Sequence, residues 1–117
     1  MKKTFQISKL KKKKTLNNRS IYLHILENFK KFKFTAKRLY FHDFKKNHLI
    51  KNKINNSDSI FIPLSGVLYF SIGKREISLK KNQSLLIKKN VIFDLKTSKS
   101  FFIVLANRSY EKLKRKI

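Results

Sequence analysis

Cysteine and tryptophan are absent from the 117 residues, and acidic side chains are scarce: 6 Asp and Glu against 30 Lys and Arg. Without cysteine there is no disulfide, no thiolate metal site and no cysteine nucleophile. With so few carboxylates, paired-carboxylate catalysis has little to draw on. The single proline and the two glycines, Gly66 and Gly73, leave no Gly-x-Ser-x-Gly elbow and no glycine loop for phosphates. No apolar run approaches the ~20 residues that cross a bilayer. The N-terminus, MKKTFQISKLKKKK, is basic but lacks the continuous apolar segment of a signal peptide. The expectation is a soluble cytoplasmic protein without a membrane partner.

What is present is positive charge and apolar mass. The formal net charge is +24, which invites a nucleic-acid reading because Lys and Arg release counterions at phosphates. The distribution argues against one. Basic residues recur along the whole chain, at Lys11 to Lys14, Lys45 and Lys46, Lys80 and Lys81, Lys88 and Lys89, and Lys112 to Lys116. A dedicated interface would gather them on one element. Arg, the residue suited to bidentate phosphate or guanine contacts, occurs only at positions 19, 38, 75, 108 and 115. Lys, Asn, Ile and Phe share A/T-rich codons, so genome composition spread over solvated surface accounts for the charge. The 11 Phe and 4 Tyr supply the aromatic mass of one core, and a chain of this length can bury roughly two thirds of its surface.

The apolar residues come in short runs cut by polar or glycine turns, which is a strand signal. The clearest runs are 59–64, 67–72, 75–79, 84–88, 91–96 and 100–106. Ser65-Gly66, Gly73-Lys74 and Lys80 to Gln83 read as turns, and Pro63 inside a run implies an edge strand or a bulge, since proline has no ladder donor. Earlier in the chain, 3–10 reads as a weak edge strand, 20–27 and 34–42 as strands, and 48–54 as a weak strand. Asn107 or Ser109 can cap a short helix over 107–117. One domain follows: a basic segment over 1–19, a β-barrel over 20–106 and the terminal helix. The fold class is all-β, a small jelly-roll or cupin barrel with a short C-terminal helix. An immunoglobulin-like sandwich is the alternative, but its cysteine pair and buried Trp are missing.

Several segments then carry a family likeness: FTAKRLYF, IPLSGVLYFSIGKREISL, SLLIKKNVIFDL and FFIVLANRSYEKL, in that order. With Leu23 and Glu27 ahead of them, they resemble the cupin family of dTDP-4-keto-6-deoxyhexose 3,4-ketoisomerases, the WxcM-like sugar isomerases. Lys37, Arg38 and Tyr40 match a Lys-Arg-Val-Tyr-Tyr strand, and Leu64 to Gly66 match Leu-Asn-Gly. Val104 to Ala106 with Tyr110 and Glu111 match Val-Leu-Ala-Ser and its continuation. The resemblance implies a homodimeric jelly roll, no cofactor, and a dTDP-linked keto sugar as ligand on the way to surface-polysaccharide sugars. It also implies an Arg-Gly-x-His-x-His segment whose histidines act as acid and base. Counting back from Gly66 without gaps places Leu49 on the arginine, Ile50 on the glycine, and Asn52 and Ile54 on the two histidines. The family's pocket Trp falls on Ile92, and a nearby acidic residue on Asp94.

Ketoisomerisation needs a base beside a carbonyl and an acid for the neighbouring carbon, which suits histidine. Asn52 and Ile54 cannot take that part. The family tyrosine survives as Tyr40, and His42 lies two residues beyond it, on the same strand face as Arg38. Tyr40 and His42 are therefore the candidate catalytic residues, with Arg38, His48 and Asn52 as candidate substrate contacts. His24 reads as an ordinary strand histidine. His42, His48 and Glu27 are too scattered for a cupin metal site, so no metal is expected. Catalysis is expected to be altered or lost. The alternative is a non-enzymatic basic cupin that holds a nucleotide sugar, another polyanion or a protein partner. Self-repulsion at +24 predicts a thermal midpoint that rises as sodium chloride goes from low ionic strength to about 0.15 M; a flat or falling midpoint in a salt series would show that charge does not oppose folding.

Overall fold

The computed structural model describes residues 5–9, 30 and 32–107. Nine strands form among them: β1 (Phe5–Lys9), β2 (Arg38–Phe44), β3 (His48–Ile54), β4 (Ser59–Ser65), β5 (Leu68–Ile72), β6 (Arg75–Leu79), β7 (Gln83–Ile87), β8 (Ile92–Thr97) and β9 (Ser100–Ala106). Sheet one has the order β1-β7-β4-β9-β2 and sheet two the order β3-β8-β5-β6. Every pairing is antiparallel. Among the described residues no helix is long and apolar enough to cross a membrane. The strand read for 20–27 lies outside the described residues, as does the helix read for 107–117 beyond Asn107.

The two sheets differ in a way their sequences explain. Strands β5, β6 and β8 alternate: Leu68, Phe70, Ile77, Leu79, Phe93 and Leu95 are buried, while Tyr69, Ser78 and Lys96 are exposed. Period-two alternation is what a sheet with one wet face requires. Strands β4 and β9 read instead as unbroken apolar runs, IFIPL and FFIVLA, because at these central strands both faces of sheet one are covered. Phe61, Phe102 and Val104 face sheet two, joining Leu68, Phe70, Phe93 and Leu95 in one core cluster. Ile60, Ile62, Leu64, Ile103 and Leu105 point the other way and pack beneath Phe32, Phe34 and Ala36. The strand read for 34–42 therefore begins later, at Arg38. Phe34 and Ala36 lie ahead of β2 and serve the outer face of sheet one.

Pro63 sits in a bulge of a central strand, not at an edge. Strand β4 lies between β7 and β9, but its ladder with β7 covers only Ser59 to Phe61. Its register with β9 shifts between Pro63 and Ser65. The missing proline N–H thus falls where one ladder has ended and the other is irregular.

The turn after β4 crosses close to the turn before β9. Gly66 has φ +79°, and a Cβ there would stand 2.5 Å from the Lys99 carbonyl oxygen and 2.8 Å from the Ser100 Cβ. Beside this crossing the Thr97 hydroxyl donates to the Val67 carbonyl at 3.1 Å and lies 2.7 Å from Ser100 Oγ. Gly73 also has positive φ, +59°, but a Cβ would meet nothing within 4 Å. Gly73→Ala should therefore cost only the left-handed backbone penalty, about 1–2 kcal/mol. Gly66→Ala should cost clearly more, because backbone must move as well. Equal losses of stability for the two in urea unfolding would contradict the close crossing.

Candidate functional site

A cavity of about 410 Å³ opens between the sheets on the side where β2 edges sheet one and β3 edges sheet two. Strand β2 supplies Tyr40, His42 and Phe44, and β3 supplies Ile50 and Lys53. Asn55, Asn56, Ser57 and Ser59 line one end. Phe61, Phe93, Leu95, Phe102, Val104 and Ala106 complete the walls. The cavity is thus apolar and aromatic on its walls, with polar groups from β2, Lys53 and the loop before β4. Among the described residues no carboxylate lines it.

Strand β2 reaches the cavity because of its register on β9. Tyr40 pairs with Val104, His42 with Phe102 and Phe44 with Ser100, so alternate residues of both strands face inward together. The His42 ring stacks on Phe102 with centroids 5.0 Å apart and planes 17° apart, and tilts against Phe44 at 6.1 Å. Burial, and then the nearby Lys53 charge, hold the His42 imidazole below its ordinary value of 6.5. At neutral pH the ring is uncharged and offers one N–H donor and one acceptor nitrogen.

Lys53 reaches the cavity through a bulge. Ile50 pairs with Leu95 and Lys53 with Phe93, so Lys51 and Asn52 together oppose Asp94. Asn52 has φ 54°, a conformation that asparagine tolerates better than most residues. Its backbone N–H donates to Asp94 Oδ1 at 2.8 Å. The extra residue shifts the facing by one: half-buried Ile50 and exposed Lys53 border the cavity, while the exposed Asn52 and Ile54 do not. The loop that follows is tied down at both ends. The Asn90 N–H donates to the Asn55 carbonyl at 2.9 Å, the Lys89 N–H to Asp58 Oδ1 at 2.9 Å, and the Asn107 N–H to the Asp58 carbonyl at 3.1 Å.

The candidate residues are thus divided. Tyr40 and His42 come together on the cavity wall. Arg38 follows the same face of β2 and pairs with Ala106, but it is not among the lining residues. His48 belongs to a second, shallower hollow with Leu49, Tyr69 and Lys96. Its ring still stacks on Phe44, 4.5 Å away. Asn52 faces outward and contributes its backbone to the bulge. Ile92 is 55% exposed, and Asp94 points away from the cavity to hold Asn52. Lys53, Ser57, Ser59 and the walls Phe93 and Phe102 are cavity residues that sequence reasoning did not single out. The only sequence trace of the bulge is Asn52 itself, an asparagine inside a strand-like run. Among the described residues no three His, Asp or Glu side chains gather as a metal site would need.

This geometry ties His42 to stability. Its folded pKa lies below the unfolded 6.5, so the unfolded chain binds more protons at mildly acidic pH. The contribution to stability is intact above about 6.5 and is lost as pH falls through the folded value. The wild-type thermal midpoint should therefore drop relative to His42→Phe between about pH 7 and pH 5. Parallel midpoints across that range would mean that His42 is not buried beside a cation.

Several solved structures superimpose on this fold. The sugar 3,4-ketoisomerase QdtA of Thermoanaerobacterium thermosaccharolyticum, in complex with TDP, gives a TM-score of 0.63 at 17% identity, over 97% of this chain and 87% of that one. A histidine-to-asparagine mutant of that enzyme, in complex with TDP-4-keto-6-deoxyglucose, gives 0.62 at 19% identity, over 97% and 86% of the two chains. A cupin superfamily protein from Desulfitobacterium hafniense gives 0.52 at 10% identity, over 86% and 96%. At such identities the likeness is one of fold: the chain is a cupin in architecture, and the resemblance to the sugar ketoisomerases read from its sequence is met at that level. Neither a scan of protein-family models nor a search of curated proteins returned a match.

Proposed function

We propose that this chain binds a dTDP-linked 4-keto-6-deoxy sugar in the cavity beside β2, and acts on it with an altered acid–base set. The observation that carries the reading is the joint placement of Tyr40 and His42 on the wall of a 410 Å³ cavity. That cavity lies in a fold shared with an enzyme solved with TDP and, as a mutant, with TDP-4-keto-6-deoxyglucose. The volume lies in the ordinary range for a small-molecule site. The lining suits a sugar nucleotide in two respects. Aromatic faces pack against the apolar faces of rings, and Lys53 offers a cation to an anionic ligand.

The chemistry asked of the site is proton transfer between adjacent carbons. A neutral His42 can take a proton from the carbon next to the ketone, and the Tyr40 hydroxyl can donate a hydrogen bond to a substrate oxygen. The paired histidines of the ketoisomerase motif are not reproduced at Asn52 and Ile54, both of which face outward. A single histidine base is the sense in which the set is altered. A non-enzymatic binding role is the second reading, favoured by the largely apolar walls and the lack of a lining carboxylate among the described residues.

One experiment separates them. Purified protein is titrated with TDP-4-keto-6-deoxyglucose, and entry of solvent deuterium at carbon 3 is followed by NMR. We expect saturable binding with exchange, and His42→Gln should slow exchange by about 10²-fold or more while binding persists. Binding without exchange would leave the binding module alone. No binding at millimolar ligand would overturn both readings.

A further inference from the structure

We propose that Lys53 is a catalytic residue of this site, with its ammonium group stabilising the enediolate oxygen that forms when His42 removes the sugar proton. The inference rests on the sugar-binding reading above and adds a residue to it.

Three observations converge on Lys53. Strand β3 does not bring it inward by simple alternation. Ile50 faces the cavity, and an even count would send 52 and 54 there and Lys53 out to solvent. The bulge changes this, since two residues oppose Asp94 and the register resumes at Lys53 opposite Phe93, so that Lys53, although still exposed, borders the cavity. The bulge is also held in place. Asn52 adopts φ 54°, and the Asp94 carboxylate accepts its N–H at 2.8 Å. One of only 6 acidic residues in the chain is thus used on the outer face of sheet two to fix the backbone that aims Lys53. Finally, Lys53 shares the cavity with Tyr40 and His42, and among the described residues no carboxylate lines it. Its charge reaches the His42 ring, where it adds to burial in disfavouring the protonated imidazole.

The step balances without an oxidant or a cofactor. The proton on the carbon beside the ketone moves to the acceptor nitrogen of His42. The C–H electron pair becomes the C=C bond, and the carbonyl π pair moves to oxygen, where the Lys53 ammonium meets it. The neighbouring hydroxyl then passes its proton to that oxygen and becomes the new carbonyl, as the imidazolium returns its proton to the other carbon. A cation at a developing oxyanion, in a site walled by Phe rings, acts where charge appears.

The test uses the full chain and TDP-4-keto-6-deoxyglucose, reading binding and deuterium exchange separately. Lys53→Met should reduce exchange by about 10²-fold and change Kd far less. Lys53→Arg, which keeps the charge, should retain most of the exchange. Asp94→Ala, which frees the bulge, should lower exchange in the same direction as Lys53→Met. NMR titration of His42 gives a readout that needs no substrate: its pKa should move up toward 6.5 in Lys53→Met. Equal losses in binding and exchange would make Lys53 an anion clamp and overturn the proposal. Unchanged exchange, or an unmoved His42 titration, would overturn it too. Wild-type binding without exchange would remove the catalytic role and leave the ligand reading intact, whereas no binding at all would remove the sugar reading and Lys53's role with it.

Discussion

The pairing of β4 with β9 at the centre of sheet one, dry on both faces, is the constraint on which the rest depends. Ile60, Ile62, Ile103 and Leu105 on one side, and Phe61, Phe102 and Val104 on the other, are all buried. Two faces cannot be covered by one opposing sheet. Sheet two takes the inner face, and Phe32, Phe34 and Ala36 take part of the outer one. Strand β2 then continues the sheet beyond β9, and among the described residues β9 is its only strand partner. The site therefore inherits its geometry from β9: Tyr40 faces the cavity because it is paired with Val104, and His42 because it is paired with Phe102. Moving β9 by one residue would turn both side chains to the outside.

That dependence decides what the sequence could convey. The alternating strands β5, β6 and β8 were legible nearly to the residue, since one wet face writes its period into the chain. The runs at β4 and β9 were legible as strands but not as to facing, because a strand buried on both sides carries no alternation. Phe34 was read as part of the β2 strand, yet it belongs to the cover of the outer face, a role only the packed sheets define. At the site, Tyr40 and His42 share a face by simple parity, and parity holds because β2 pairs with β9 without interruption. Parity fails at β3. One extra residue at Lys51 and Asn52 is invisible to gapless counting, and it exchanges outward for inward over the rest of the strand. The count pointed to Asn52 and Ile54; the backbone presents Lys53.

The heavy positive charge also takes on structure once the turns are placed. Lys45 and Lys46, Lys80 and Lys81, and Lys99 lie in turns at one end of the sandwich, and Lys74, Lys88 and Lys89 at the other. Among the described residues the turn lysines are thus divided between the two ends and not gathered on one element. The few acids are used locally. Asp58 receives the Lys89 N–H and pairs with Lys88 at 3.4 Å, and Asp94 receives the Asn52 N–H. Both hold backbone that borders the cavity, and neither lines it.

A cation beside a catalytic base acts in two opposite directions, and the balance between them determines whether such a site can work. Lys53 weakens His42 as a base, because protonating the ring sets two positive charges side by side. It strengthens the acid next to it, because the carbon proton leaves an enediolate whose negative charge the same ammonium attracts. Substrate bound at neutral pH gives the set a charge of one, from Lys53. After proton transfer the imidazolium and the enediolate add one charge of each sign, and the total is unchanged. The transition state thus gains an attraction for each repulsion it meets, and the attraction is the stronger if the enediolate oxygen lies nearer to Lys53 than the ring does. Two histidines can divide the work of acid and base between like groups. One neutral histidine with one cation can reach a comparable end only if the cation lies on the substrate side of the ring, and the bulge pinned by Asp94 fixes the backbone from which Lys53 would reach that side.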